Sequence, residues 1–201
     1  MCLLVESIKV ENRKLSNLEF HNRRLNKSRK DLFNKTDEIR LENILNIPSH
    51  LGDGIFKCRV LYDEYINKIE WREYTPRNIK FLKIVKCDKI DYSYKYSNRE
   101  IFKNLLKEND CVGNCDILII KNGRVTDTSF SNIVLFDGKE WHTPLFPLLK
   151  GTKREELLQK GLLQEKDILF DNISQYKTIK PINVMLDFEK TESLPFDSLI
   201  Y

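Results

Sequence analysis

The clearest capacity for chemistry in this sequence lies where the run Asp116–Gly161 turns from strands into a helix, at Gly151-Thr152. Two tight turns, Asn122-Gly123 and Asp137-Gly138, separate short apolar segments before that switch. A glycine and a threonine at a helix start let backbone amides and a hydroxyl approach an anion, and the helix dipole favours negative charge there. The chemistry on offer is phosphate binding. By itself the step is a weak signal, since most such pairs merely cap helices. Three further residues could join it. Arg24 has a guanidinium fork suited to phosphate oxygens, although beside Arg23 it reads first as a solvated helix arginine. Lys95 stands between Tyr94 and Tyr96, where desolvation would lower an amine pKa toward that of a nucleophile. Composition alone does not separate it from other surface lysines. Asp127, in Thr126-Asp127-Thr128-Ser129, taken alone is a polar strand end.

Other chemistries find less support. Cys111 and Cys115 form a C-x3-C pair with no second pair or histidine cluster, so no metal site is expected. The five cysteines are odd in number and mostly dispersed, which fits reduced thiols in a cytoplasmic protein. The 34 basic and 30 acidic residues are interspersed, with a mild basic concentration only from Arg13 to Lys35, which argues against a nucleic-acid partner. The apolar start, Met1 to Val5, is too short for a signal peptide, and no segment is long enough to span a bilayer.

The elements that must position these groups are strands and helices mixed in both halves. At 201 residues, that pattern argues for two small α/β lobes, an α+β class, rather than a doubly wound sheet. Strands are expected at Glu6–Val10, Lys14–Leu18, Phe56–Tyr62, Ile69–Tyr74 and Ile79–Val85, with a helix from Phe20 to about Leu45. The polar, tyrosine-rich stretch Lys86–Tyr96 reads as a linker, giving lobes over 1–86 and 97–201 with 87–96 between them. In the second lobe a helix over Arg99–Lys107 precedes strands at Ile117–Lys121, Arg124–Thr126, Asn132–Phe136 and Glu140–His142. Thr152 and Glu155 form a capping box that starts a helix over Lys153–Lys160.

Taken in order, these segments resemble the class IV aminotransferases, enzymes that use pyridoxal 5'-phosphate (PLP). ESIKVENRKLSNLEFHNRRLNKS is similar to the family's opening hairpin and His-x-x-Arg-Leu signature, here His21, Arg24 and Leu25. The resemblance makes Arg24 a phosphate ligand and His21 a local structural residue. YSYKYSNRE puts Lys95 where the family has the lysine that joins the cofactor. VTDTSFSNI resembles the motif whose acid faces the pyridine nitrogen. That acid is Asp127, where better-known members have glutamate, with Thr128 and Ser129 beside it. TPLFPLLKGTKREELL is similar to the second phosphate anchor, with Gly151 and Thr152 at the turn and Lys153 where the family usually has threonine. IKPINVML resembles the last pocket strand and adds Asn183 and the amide of Val184. The fold so implied has its cofactor cleft between the lobes, and the assembly is a homodimer.

The family's reactions include transamination of branched-chain or D-amino acids and conversion of 4-amino-4-deoxychorismate to 4-aminobenzoate and pyruvate, a folate-pathway step. Lys95-x-x-Asn98-Arg99 matches the lyase pattern, and Glu100 stands where the transaminases often have tyrosine. The lyase reading is therefore preferred over transamination of a small-molecule amine. Arg59 and Arg99 are candidate ligands for substrate carboxylates. A non-catalytic interaction protein on the same fold is the alternative from another class, and a colourless purified protein would favour it.

Overall fold

The structure, a computed structural model, describes residues 3–201, so Cys2 and the first part of the apolar start lie outside the described residues. The chain divides into two compact units: residues 1–76 with 94–98, and residues 77–93 with 99–201.

In the first unit, β1 (Leu4–Glu11), β2 (Lys14–Leu15), β3 (Ile55–Tyr62) and β4 (Ile66–Glu73) form an antiparallel sheet in the order β2-β1-β3-β4. Alternation sets its core: Leu4, Ile8 and Val10 of β1 and Cys58, Val60 and Tyr62 of β3 are buried. Helix α1 (Leu18–Phe33) contributes Leu25 to the same cluster. The strand expected at Lys14–Leu18 is only two residues long, because α1 already begins at Leu18. The helix expected to reach Leu45 ends twelve residues earlier. Asn34 adopts a left-handed conformation, and the Asn34 and Lys35 amides close the last turn on Lys30 and Arg29 carbonyls. The chain then returns along the helix, held by side chains from successive turns. Asn22 Oδ1 accepts from Leu41 N–H, Asn26 exchanges two bonds with the Ile39 backbone, and the buried Arg29 donates to Asp37 and to the Glu64 carbonyl. Those backbone groups have partners without a helix.

The second unit contains β5 (Phe81–Lys86), α2 (Glu100–Glu108), β6 (Cys115–Lys121), β7 (Arg124–Thr128), β8 (Asn132–Phe136), β9 (Trp141–Pro144), α3 (Thr152–Gln159), β10 (Gln164–Lys166), β11 (Thr178–Ile182), β12 (Leu194–Pro195) and β13 (Leu199–Ile200). They form two sheets, β13-β5-β6-β7 and β10-β9-β8-β11-β12. The apolar residues of β6 and β8 are buried along almost their whole length, as strands covered on both faces require. Two expectations fail here. Cys111 and Cys115 are joined by a disulfide rather than left as thiols. Left-handed residues at Asp110 and Gly113 fold the turn so that their Cα atoms lie 5.2 Å apart, a distance a disulfide spans. Cys58 and Cys87 are free. The capping box is also absent: Gly151 is the residue before α3, Thr152 is already helical, and no side chain caps that end.

Candidate active site

In the first unit the candidate groups gather around a residue that the sequence reading overlooked. Glu6 lies on the inward face of β1, in step with Leu4 and Ile8, and is fully buried. Arg24, one turn beyond His21 on α1, grips it bidentately, with Nε 2.9 Å from Oε1 and Nη2 2.5 Å from Oε2. His21 Nδ1 lies 2.6 Å from Oε2. Burial alone would raise the Glu6 pKa. The Arg24 charge and the hydrogen bonds from His21 and Arg24 more than reverse this and hold it at about 2. Burial pushes His21 down against the pull of Glu6, so the imidazole is neutral, donates from Nδ1 and leaves Nε2 buried without a partner.

Lys95 belongs to this unit. The Val5 amide donates to its carbonyl at 2.9 Å, and Leu4 forms an isolated antiparallel bridge with Tyr96. The segment carrying the lysine is thus docked along the edge of β1. The Lys95 charge disfavours protonation of His21, which puts its amine within electrostatic range of the Glu6–His21–Arg24 cluster.

The second unit holds a different kind of carboxylate. Asp127, near the end of β7, is buried and accepts one bond on each oxygen: from Asn132 Nδ2 at 2.8 Å and from the Leu149 amide at 3.0 Å. Burial drives its pKa up to about 6 against those two bonds, both from neutral donors, and against the smaller pulls of the Arg154 charge and the Leu148 backbone. Leu149 lies two residues before Gly151, so the acid and the turn into α3 are tied directly. Thr152 is buried at the first position of α3, and Lys153 pairs with Glu156 at 3.0 Å. Thr128 and Ser131 exchange hydroxyl and backbone bonds that close the turn between β7 and β8.

The remaining candidates are held by their own neighbours. Arg99 donates to the Ser129 carbonyl and the Tyr92 hydroxyl and lies over the Phe102 ring, so it braces the end of β7. Arg59 pairs with Glu70 at 2.7 Å on the partly exposed face of the first sheet. Asn183 Oδ1 accepts from the Met185 amide within its own turn. The structure therefore groups Arg24 with Lys95 in one unit, and Asp127 with Thr128, Ser129, Gly151 and Thr152 in the other. Glu6 was missed, and Asn132 was seen only as part of the VTDTSFSNI motif, with no role given to it. Their signals were present: Glu6 interrupts an apolar alternation on its inward parity, and Asn132 opens the apolar strand β8.

Residues 3–186 match the model of the Amino-transferase class IV family, and the chain belongs to that family. It is 37% identical over 185 residues to an uncharacterised protein of Haemophilus influenzae, covering 90% of this chain and 97% of that one. A crystal structure from Haemophilus somnus 129pt, provisionally named a 4-amino-4-deoxychorismate lyase, superposes with a TM-score of 0.82 at 31% identity, covering 92% of this chain and 97% of that chain. The PLP-bound form of a hypothetical aminotransferase from Mycobacterium tuberculosis shares the fold, with a TM-score of 0.74 at 16% identity, covering 98% of this chain and 81% of the other. Among the described residues no helix is long and apolar enough to cross a membrane, and no group of three or more His, Cys, Asp or Glu is arranged for a metal ion.

Proposed function

We propose that the protein binds PLP and acts as a lyase on 4-amino-4-deoxychorismate, releasing 4-aminobenzoate and pyruvate. The observation that carries the cofactor reading is Asp127: a buried carboxylate with a raised pKa and only neutral donors, tied to the Gly151 turn. A protonated pyridine nitrogen is a cation that would pair directly with such an acid. In this assignment Asp127 faces the ring nitrogen, the amides at Gly151-Thr152 and the Arg24 guanidinium take the phosphate, and Lys95 attaches the cofactor. Glu6 keeps Arg24 oriented, and neutral His21 keeps Glu6 in place.

When bound, PLP supplies an electron sink for the bond-breaking step. Lys95 Nζ would take the proton from the amine-bearing ring carbon as the C–O bond on the adjacent ring carbon breaks, and would return a proton to the methylene carbon of the departing enolpyruvate to give pyruvate. Arg99 holds the Ser129 carbonyl and so steadies the strand that carries Asp127. The lyase preference rests on Lys95-x-x-Asn98-Arg99, on Glu100 in place of tyrosine, and on resemblance to the Haemophilus somnus protein.

Stoichiometry tests the reaction. With aminodeoxychorismate as sole substrate, pyruvate and 4-aminobenzoate should appear in equal amounts while the cofactor remains in its aldehyde form. If an amino acid instead converts the cofactor to its amine form, a keto acid restores it at catalytic rates, and aminodeoxychorismate is untouched, the protein is a transaminase.

A further inference from the structure

Gly151 is a glycine without a conformational reason. Its φ of −77° and ψ of 147° are open to any L-residue. What excludes a side chain is Asn132: a Cβ built on Gly151 would lie 2.0 Å from Asn132 Oδ1. The other end of the same amide is equally committed. Asn132 Nδ2 donates to Asp127 Oδ1 at 2.8 Å and to the Leu149 carbonyl at 2.7 Å, while the Leu149 amide returns a bond to Asp127 Oδ2 at 3.0 Å. One buried side chain thus closes a ring through the acid and the backbone before Gly151, then presses its oxygen against Gly151 itself.

We infer that Asn132 is a positioning residue that locks Asp127 and the Gly151 turn into one rigid piece. Resting on the PLP assignment above, the lock fixes the ring-nitrogen acid and the phosphate anchor at one separation, so the cofactor is met at both ends by a preformed frame. A pre-organised site avoids ordering its groups on binding, and that gain appears as affinity. Without Asn132, Asp127 keeps only backbone partners and the turn is free to shift relative to it. The same geometry gives Gly151 a specific reason: it makes room for the asparagine rather than for the ligand.

Two neighbouring sites that share a packing contact should be strongly non-additive, which a double-mutant cycle reads directly. Asn132→Ala, Gly151→Ala and the double variant are compared in two assays, urea unfolding of the cofactor-free protein and PLP titration. Gly151→Ala alone should lower the folding equilibrium constant and PLP affinity by tenfold or more. Added to Asn132→Ala, it should change either by less than about threefold, because the obstructing oxygen is gone. Asn132→Ala alone should remain folded and bind PLP at least tenfold more weakly. If it does not fold, Asn132→Ser serves in the same cycle. Additive losses in both assays, or wild-type PLP affinity in the folded Asn132 variant, would overturn the inference. Failure of the wild-type protein to bind PLP would instead refute the cofactor assignment, and the cofactor-free unfolding cycle would still decide whether Asn132 and Gly151 are locked.

Discussion

Each candidate cluster is built on a buried carboxylate, Glu6 in the first unit and Asp127 in the second, and the two titrate in opposite directions. Glu6 has a guanidinium and an imidazole against it and is held at about 2, whereas Asp127 has an asparagine amide and a backbone amide and is driven up to about 6. Burial penalises the charged form in both, so the sign is set by the partner's charge rather than by depth. Glu6 is complete as it stands: its ion pair organises Arg24. Asp127 is hydrogen-bonded by neutral groups and feels the Arg154 charge only at a distance, without an ion pair of its own. The difference matches the proposed roles, a structural one for the first carboxylate and a ligand-facing one for the second.

Four experiments would break or sharpen that contrast. The largest effect should come from Glu6→Ala, which removes the fully buried carboxylate that Arg24 and His21 share. A loss of about 3–5 kcal/mol is expected in urea unfolding. A loss below about 1 kcal/mol would mean that the pair is no better than a surface contact.

Next is the pH dependence of stability in the cofactor-free protein. The Glu6 pKa falls on folding from 4.5 to about 2, so its contribution is present above 4.5 and lost as pH falls through 2. The shift corresponds to roughly 3 kcal/mol. Asp127 rises on folding from 3.8 to about 6, so its contribution is full below 3.8 and disappears as pH rises through 6, also by roughly 3 kcal/mol. Glu6→Gln should therefore flatten the acid limb, and Asp127→Asn should flatten the decline between about pH 4 and 6. Unfolding curves at stepped pH that respond alike to both variants would erase the distinction.

Arg24→Ala should weaken PLP binding by roughly ten- to a hundredfold, the loss of a charge-assisted contact of about 1.5–3 kcal/mol. An unchanged dissociation constant would confine Arg24 to its pair with Glu6. The smallest effect should be that of Arg59→Ala, whose partner Glu70 lies on the partly exposed sheet face. Stability should change by less than about 1 kcal/mol, with PLP affinity unaltered. A large loss of affinity would return Arg59 to the site.

The sequence was most readable where structure is local. In β3 the alternation that buries Cys58, Val60 and Tyr62 is plain in the order of residues, as are the Asn122-Gly123 turn and the switch into α3. It was least readable where distant groups satisfy the backbone. The end of α1 depends on Asn22, Asn26 and Arg29 binding a return segment, and propensity contains no trace of that. The Cys111–Cys115 bridge depends on left-handed residues that bring two ordinary-looking cysteines together. For the site, the order of motifs singled out Arg24, Lys95, Asp127 and Gly151, but their supports were hidden. Glu6 passes for a surface acid until its parity on β1 is noticed, and Asn132 for a strand start until Gly151 shows what it touches.

Attachment of PLP at Lys95 is tested most directly by borohydride reduction of the PLP-treated protein followed by peptide mapping. The reduced cofactor should be found covalently on Lys95, and Lys95→Ala should abolish the labelling while the protein stays folded. Labelling of a different lysine, or none in the folded wild-type protein, would contradict attachment at Lys95.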